Sequence, residues 1–259
     1  VEESFGAWHV KGGLGQLAEK VYQRAVDVGV TFHLNSPVSA ITTVGKKATG
    51  VILADGTVVA ADAVVANADA SLVYNKLISG DVSRLKRTRK NLAKAEPSLA
   101  GFSLLLGLRP TDQPTGLSHH NVFFPKDYDQ EFEDIFSRRV PVADPTIYIC
   151  APNDDAMVKH PGHEAWFVLV NAPRHDESGS DSFNWNDKDA NHHYAMKIID
   201  AIEARGTRTV RDGAHLARLP LAVEERAAHA PVALVADGRA GIPEFLGIGL
   251  VRHVLERAG

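Results

Sequence analysis

The most concentrated set of chemistry-bearing residues is residues 6–18, Gly-Ala-Trp-His-Val-Lys-Gly-Gly-Leu-Gly-Gln-Leu-Ala. Glycines ahead of a helix can turn backbone N–H groups toward an anion, and the helix end adds partial positive charge. The same residues also serve as a plain turn entering a helix. The spacing is not a GxGxxG fingerprint, because no strand precedes it and no βαβ unit surrounds it. Nor is it a phosphate-binding P-loop, since no Gly-Lys-Ser/Thr follows the glycines. Histidine is plentiful, with 12 residues, including His119-His120, His160 with His163, and His192-His193. A zinc site needs three or four converging ligands, and no HExxH or Cys/His spacing provides them. No metal site is therefore expected. The single cysteine, Cys150, lies in a β-rich apolar run and reads as a buried, unreactive thiol. No Ser-His-Asp or Cys-His arrangement stands out, and no catalytic residue is assigned.

These residues need elements to position them. From Leu14, the apolar residues Leu17, Ala18, Val21, Tyr22, Ala25 and Val28 follow helical spacing, and Gly29 ends the run. Residues 30–34 read as a short strand. Residues 38–44, 49–54 and 57–60 read as a three-stranded meander whose Asp55-Gly56 is a hairpin signal. Residues 62–67, with Ala-Val-Val-Ala, read as a strand buried on both faces. Residues 70–95 read as helical and carry the basic run Arg84, Lys86, Arg87, Arg89, Lys90 and Lys94. Residues 98–108 read as an apolar core strand or an apolar wall, 119–124 as a strand, and 127–136 as an acidic amphipathic helix. Residues 146–150 and 166–170 read as strands, 174–189 as loop, and 191–205 as a helix ending at Gly206.

The chain has 259 residues, 44% of them apolar and 23% charged, with a net charge of -4. That composition suits a core of one or two domains and argues against a disordered chain. Without a basic field, nucleic acid is not expected as a partner. One cysteine excludes an internal disulfide and fits a reducing compartment. No apolar run approaches the ~18 residues of a membrane span, and no signal-peptide pattern opens the chain. Because it begins at Val1 with Phe5-Gly6-Ala7-Trp8 close behind, the chain is expected to be part of a longer protein. Residues 207–259 lack lysine, serine, asparagine and glutamine and are rich in alanine and arginine. That shift fits either an Ala-rich helical end, with an amphipathic helix over 243–257, or a junction or altered frame near Gly206.

Six stretches have an informative order: GAWHVKGGLGQLAE (6–19), LNSPVSAI (34–41), ADAVVANAD (61–69), HHNVFFPKDYDQEFEDIF (119–136), DPTIYICAP (144–152) and WFVLVNAP (166–173). Together the chain resembles the carotenoid desaturase family of bacterial phytoene desaturase type, within the FAD-dependent amine-oxidase-like oxidoreductases. The resemblance covers residues 5–206. It implies an α/β fold, with a partial FAD/NAD(P)-binding Rossmann-like domain and β-meander over 1–72. A mixed-sheet α+β substrate domain would follow over 73–206, with an uncertain tail over 207–259. Family members hold FAD partly through an N-terminal strand–GxGxxG–helix and a C-terminal glycine-rich segment. The first does not occur here, and Gly238, Gly241, Gly247 and Gly249 do not match the second.

On the positions that do match, the resemblance implies that the Val38 backbone meets the adenine end of FAD, with Asn67 and Ala68 nearby. It places Gly12 and Gly13 close to the flavin and the substrate route. The implied reaction removes a hydride and a proton from adjacent carbons of a long polyene such as phytoene. The cofactor carries the hard step, so few polar side chains are needed. Phe102, Leu104, Leu105, Leu106, Phe123 and Phe124 could line an apolar tunnel, or be ordinary core. His119 and His120 match a pair near that tunnel, or form a hydrogen-bonded structural pair. The basic run 84–94 is either a solvated helix face or a contact with anionic lipid heads. It would put the protein in the cytoplasm, peripheral on the inner face of the cell membrane. The oligomeric state is left open. Two rivals remain: another flavin oxidoreductase, such as an amine oxidase or retinol-saturase-like enzyme, and a non-catalytic lipid- or carotenoid-binding module.

Overall fold

The computed structural model describes residues 2–78, 85–95, 98–109, 116–158 and 160–206, and the backbone of 214–216 and 232–235. The chain divides into two compact units. The first joins Val1–Glu96 to Glu225–Gly259, and the second is Pro97–Glu224. The boundary expected at residue 72 lies inside the first unit. The expectations for the 207–259 tail, including its amphipathic helix over 243–257, lie outside the described residues apart from two short strands.

The first unit opens with a short helix α1 (Glu2–Phe5) and a longer one, α2 (Leu14–Asp27). Gly29, at φ 90°, takes the left-handed conformation that ends α2, as its position predicts. The strand expected at 30–34 does not form. The Val30 amide instead donates back to the Ala25 carbonyl at 2.9 Å, so the segment is spent closing the helix. An antiparallel meander follows: β1 (Val38–Val44), β2 (Lys47–Leu53) and β3 (Val58–Ala60), in that order across the sheet. Gly50 makes the β2–β3 approach possible. Its φ is 152°, and a Cβ there would stand 2.2 Å from the Val59 carbonyl oxygen.

Strand β4 (Ala63–Ala66) pairs antiparallel with β10 (Val232–Val235). The expectation of a strand buried on both faces is not met. Exposure alternates, with Ala63 and Val65 out and Val64 and Ala66 half-buried, which is the pattern of a strand with one covered face. The helix expected over 70–95 is broken. Helix α3 (Ala70–Leu72) runs into a π-helical turn (Val73–Leu77), and α4 (Leu85–Leu92) is separate. Ile41, Val51, Leu72 and Leu77 form the unit's small core.

The second unit is built on a five-stranded antiparallel sheet of order β6-β7-β8-β5-β9. Its strands are β5 (Ala100–Leu108), β6 (His120–Phe123), β7 (Ile147–Cys150), β8 (Glu164–Ala172) and β9 (Ala214–Leu216). Helix α5 (Tyr128–Phe132) continues as a π-helical segment (Glu133–Arg138), and α6 (Lys188–Ala204) packs on the sheet. Phe102 meets Tyr194 of α6 edge-on at 5.0 Å and Trp185 at 5.2 Å. The core of this unit therefore lies between α6 and one face of the sheet. Both units are mixed α/β with antiparallel sheets; the parallel pairings among the described residues are isolated bridges.

Candidate functional site

In the first unit, Gly12 and Gly13 adopt φ of 82° and 86°. Gly13 is the residue before α2, and its N–H donates to the Val10 carbonyl at 2.8 Å. The helix start has no side-chain cap and no acidic residue in its first turn. Its partial positive charge is thus left for an anionic group. Val38 opens β1, the edge strand of its sheet, and stands opposite Leu53 with a register shift just after it. An edge strand offers backbone donors and acceptors of the kind an adenine ring pairs with.

Asn67 is exposed and Ala68 half-buried, between β4 and α3. There Asp69 caps α3, accepting from the Ser71 amide at 2.7 Å and from its hydroxyl. Those two bonds, the hydroxyl foremost, hold the Asp69 carboxyl below its ordinary range. Val38 and Ala68 pack against the same small core, and Gly13 is buried at the start of α2. The groups present fit the adenine and phosphate ends of a dinucleotide in kind: edge backbone, glycine turn and uncapped helix end.

In the second unit the strand register sorts the apolar candidates onto two faces. Directly opposed residues share a face, and successive residues along a strand point to opposite faces. Phe102 stands opposite Val170, Leu104 opposite Val168 and Leu106 opposite Trp166. All six are buried beneath α6. Phe123, opposite Ile147, belongs to the same side and packs partly against that core.

The other face carries Ser103, Leu105, Tyr148, Cys150, Phe167, Leu169, His120 and Val122. Leu105, Leu169 and Tyr148 are half-buried there, while Val122 and Phe167 are exposed. Thus Leu105 parts from its sequence neighbours Leu104 and Leu106. Phe124 lies beyond β6 and is exposed. The structure brings together Phe102, Leu104, Leu106 and Phe123, and sets His120 across the sheet from them.

His119 and His120 stack with ring centroids 4.3 Å apart. The His120 Nδ1 lies 2.7 Å from the Tyr148 hydroxyl. Burial, and then the neighbouring Cys150 side chain, push the Tyr148 phenol above its ordinary range. Cys150, expected to be buried, is half-buried and sits on this second face. Sequence reading did not single out Tyr148, Phe167 or Leu169; strict alternation along 147–150 and 164–172 is the signal that marks them.

Of the basic run, Arg89 donates to the Tyr74 carbonyl at 2.7 Å and to that of Ile78 at 3.3 Å. Lys86, Arg87, Lys90 and Lys94 are exposed. Among the described residues, no helix is long and apolar enough to cross a membrane.

Residues 2–97 match the family of flavin containing amine oxidoreductases. A zeta-carotene-forming phytoene desaturase of Myxococcus xanthus is 40% identical over 173 residues, covering 66% of this chain and 32% of that protein. A 4,4'-diapophytoene desaturase (4,4'-diapolycopene-forming) of a Methylomonas species is 34% identical over 183 residues, covering 70% of this chain and 35% of its own length. A 4,4'-diaponeurosporene oxygenase of Staphylococcus haemolyticus is 30% identical over 207 residues, covering 80% of this chain and 39% of its own. The chain therefore spans between about a third and two fifths of these curated relatives.

Proposed function

Since the chain belongs to the carotenoid desaturases of the flavin containing amine oxidoreductases, we propose that the protein carrying it desaturates a long polyene such as phytoene with FAD. The observation that carries this reading is the 40% identity over 173 residues to a phytoene desaturase. When bound, FAD supplies the hydride-accepting chemistry. The first unit is the cofactor side, a partial Rossmann-like domain. There the Val38 backbone, with Asn67 and Ala68 beside it, would hold the adenine end of FAD, and the turn at Gly12 and Gly13 would border the flavin.

The second unit presents the polyene with an apolar wall. Leu105, Val122, Phe167 and Leu169, on the less buried face, touch the substrate. His119 and His120 border that wall. Phe102, Leu104, Leu106 and Phe123, on the core side, keep the sheet rigid behind it. This division suits a hydrocarbon ligand, which needs contact area and exclusion of water more than hydrogen bonds. The exposed cations Lys86, Arg87, Lys90 and Lys94 meet anionic lipid heads, placing the protein on the inner face of the cell membrane, where such a substrate resides.

The test is expression of the complete reading frame that contains these residues in a host that accumulates phytoene. Desaturation lengthens the conjugated system, so the extracted pigment should absorb at longer wavelength than phytoene. Leu105→Asp should reduce conversion by at least tenfold while unit stability is preserved. Unchanged phytoene with a flavin-loaded protein would refute the proposal. The oxygenase among the relatives makes an oxygen-bearing polyene a second product to look for in the same extract.

A further inference from the structure

We infer that His119, His120 and Cys150 form a binding site for a borderline-soft divalent cation of the Zn2+ type. This inference does not depend on the proposed desaturase activity. His120 and Cys150 are directly opposed across the β6–β7 ladder, so their side chains leave the same face of the sheet. The ladder continues one step further, because the Ala151 N–H donates to the His119 carbonyl at 2.8 Å. That step fixes His119 beside the pair and lets its ring stack on His120. One imidazole nitrogen of each histidine and the Cys150 Sγ all lie within 4.8 Å of one another.

Zinc bonds of about 2.1 Å to nitrogen and 2.3 Å to sulfur set tetrahedral ligands about 3.5 Å apart. Side-chain rotation that draws the three atoms together by about 1 Å completes the geometry. Two imidazoles with one thiolate are donors that suit Zn2+ and leave a fourth position open. The cluster also has the outer support that such sites use. The Tyr148 hydroxyl, 2.7 Å from His120 Nδ1, orients that ring. His120 is exposed and the other two ligands are half-buried, so an ion can enter from solvent. An ion there would tie β6, a four-residue edge strand paired with β7 alone, to the strand beside it. The sequence expectation of no metal rested on spacing. Here the spacing is 30 residues, and strand pairing removes it.

This chain has one cysteine, so a thiolate–metal signal from it reports this site alone. Co2+ is titrated into the reduced protein. One equivalent should produce a thiolate-to-cobalt charge-transfer band together with intense tetrahedral visible bands. Zn2+ should displace the Co2+ and slow alkylation of Cys150 by at least tenfold. His119→Asn and His120→Asn should each weaken Co2+ binding tenfold or more, whereas His160→Asn should not. Cys150→Ser should abolish the charge-transfer band. Cobalt that binds without a sulfur band would overturn the inference, as would an alkylation rate indifferent to Zn2+. Equal affinity in wild type and both histidine variants would do the same. The wild-type spectrum decides the matter even where a variant folds poorly.

Discussion

Glu131 is 1% exposed, although it lies in a segment that reads in sequence as an acidic amphipathic helix. One of its oxygens accepts from the Thr146 amide at 2.9 Å and from the Thr146 hydroxyl at 2.6 Å. The other accepts from the Asn171 side-chain amide at 2.9 Å. One carboxylate therefore ties α5 to the residue before β7 and to β8. Glu131→Ala leaves the Thr146 N–H and the Asn171 amide without their acceptor, at about 1–3 kcal/mol each. The Thr146 hydroxyl can rotate away and adds less. The expected loss is about 3–5 kcal/mol, within the sum of those two penalties for buried donors left unpaired. Glu131→Gln keeps one acceptor oxygen but turns an amide group toward a donor, and should cost about half as much.

Urea unfolding followed by tryptophan fluorescence is the assay. Trp166 and Trp185 are each 2% exposed within the second unit, while Trp8, at 86%, adds an exposed background. A double-mutant cycle of Glu131→Ala with Asn171→Ala should return a coupling of about 1.5–3 kcal/mol, as for a hydrogen bond to a charged group. A loss below about 1 kcal/mol for Glu131→Ala, or a coupling near zero, would show that the carboxylate does not hold these elements together.

Three further outcomes follow from the same structure. The Tyr194 hydroxyl is buried facing the Val142 backbone without a well-formed hydrogen bond, and burial, then Glu131, push its phenol up. Tyr194→Phe should therefore change stability by less than about 0.5 kcal/mol or raise it, read by the same urea curves. Gly50→Ala must fit a methyl against the Val59 carbonyl at a left-handed φ, so about 2–4 kcal/mol should be lost. Faster hydrogen exchange at β2 and β3 amides would register that loss. Asp176 accepts from the amides of Asp181, Ser178 and Ser182 and from the Ser178 hydroxyl, which lowers its carboxyl from 3.8 to about 2. Folding depresses this group, so its stabilisation is complete above pH ~4 and is lost as pH falls through about 2. Amide exchange at Asp181 should rise over that window, and Asp176→Asn should remove the pH dependence.

Local pattern was a good guide wherever neighbours in sequence decide the outcome. The periodicity from Leu14, the Asp55-Gly56 turn and the apolar run at 98–108 each became the expected element, as α2, the β2–β3 hairpin and β5. Residues 30–34 carried β-forming side chains, yet the helix C-terminus claimed the Val30 amide. The helix over 70–95 was read as continuous because no glycine or proline interrupts 73–77, where the structure makes a π-turn. At the site, the run Phe102 to Leu106 looked uniform in sequence. Only the strand period divides it, and only β8 and α6 decide which half is covered. Glu131 and the His119–His120–Cys150 cluster stayed hidden for one shared reason. Their partners are 15 to 40 residues away and meet through strand pairing and helix docking.

The alternation along β5 and β8 also bears on how such a protein can change. Side chains that hold the fold together and side chains that meet whatever lies against the sheet occupy interleaved positions of the same strands. A point substitution at Leu105, Phe167 or Leu169 can reshape the outer wall while Phe102, Leu104 and Val168 stay as they are. Insertion or deletion of one residue within either strand would exchange the two sets and expose the core. Substitution at Leu105, Phe167 or Leu169 thus spares the core, whereas Asn171, on the same parity, is tied to Glu131, and length change is barred on both parities. A library confined to Leu105, Phe167 and Leu169 should yield many folded variants with altered ligand choice.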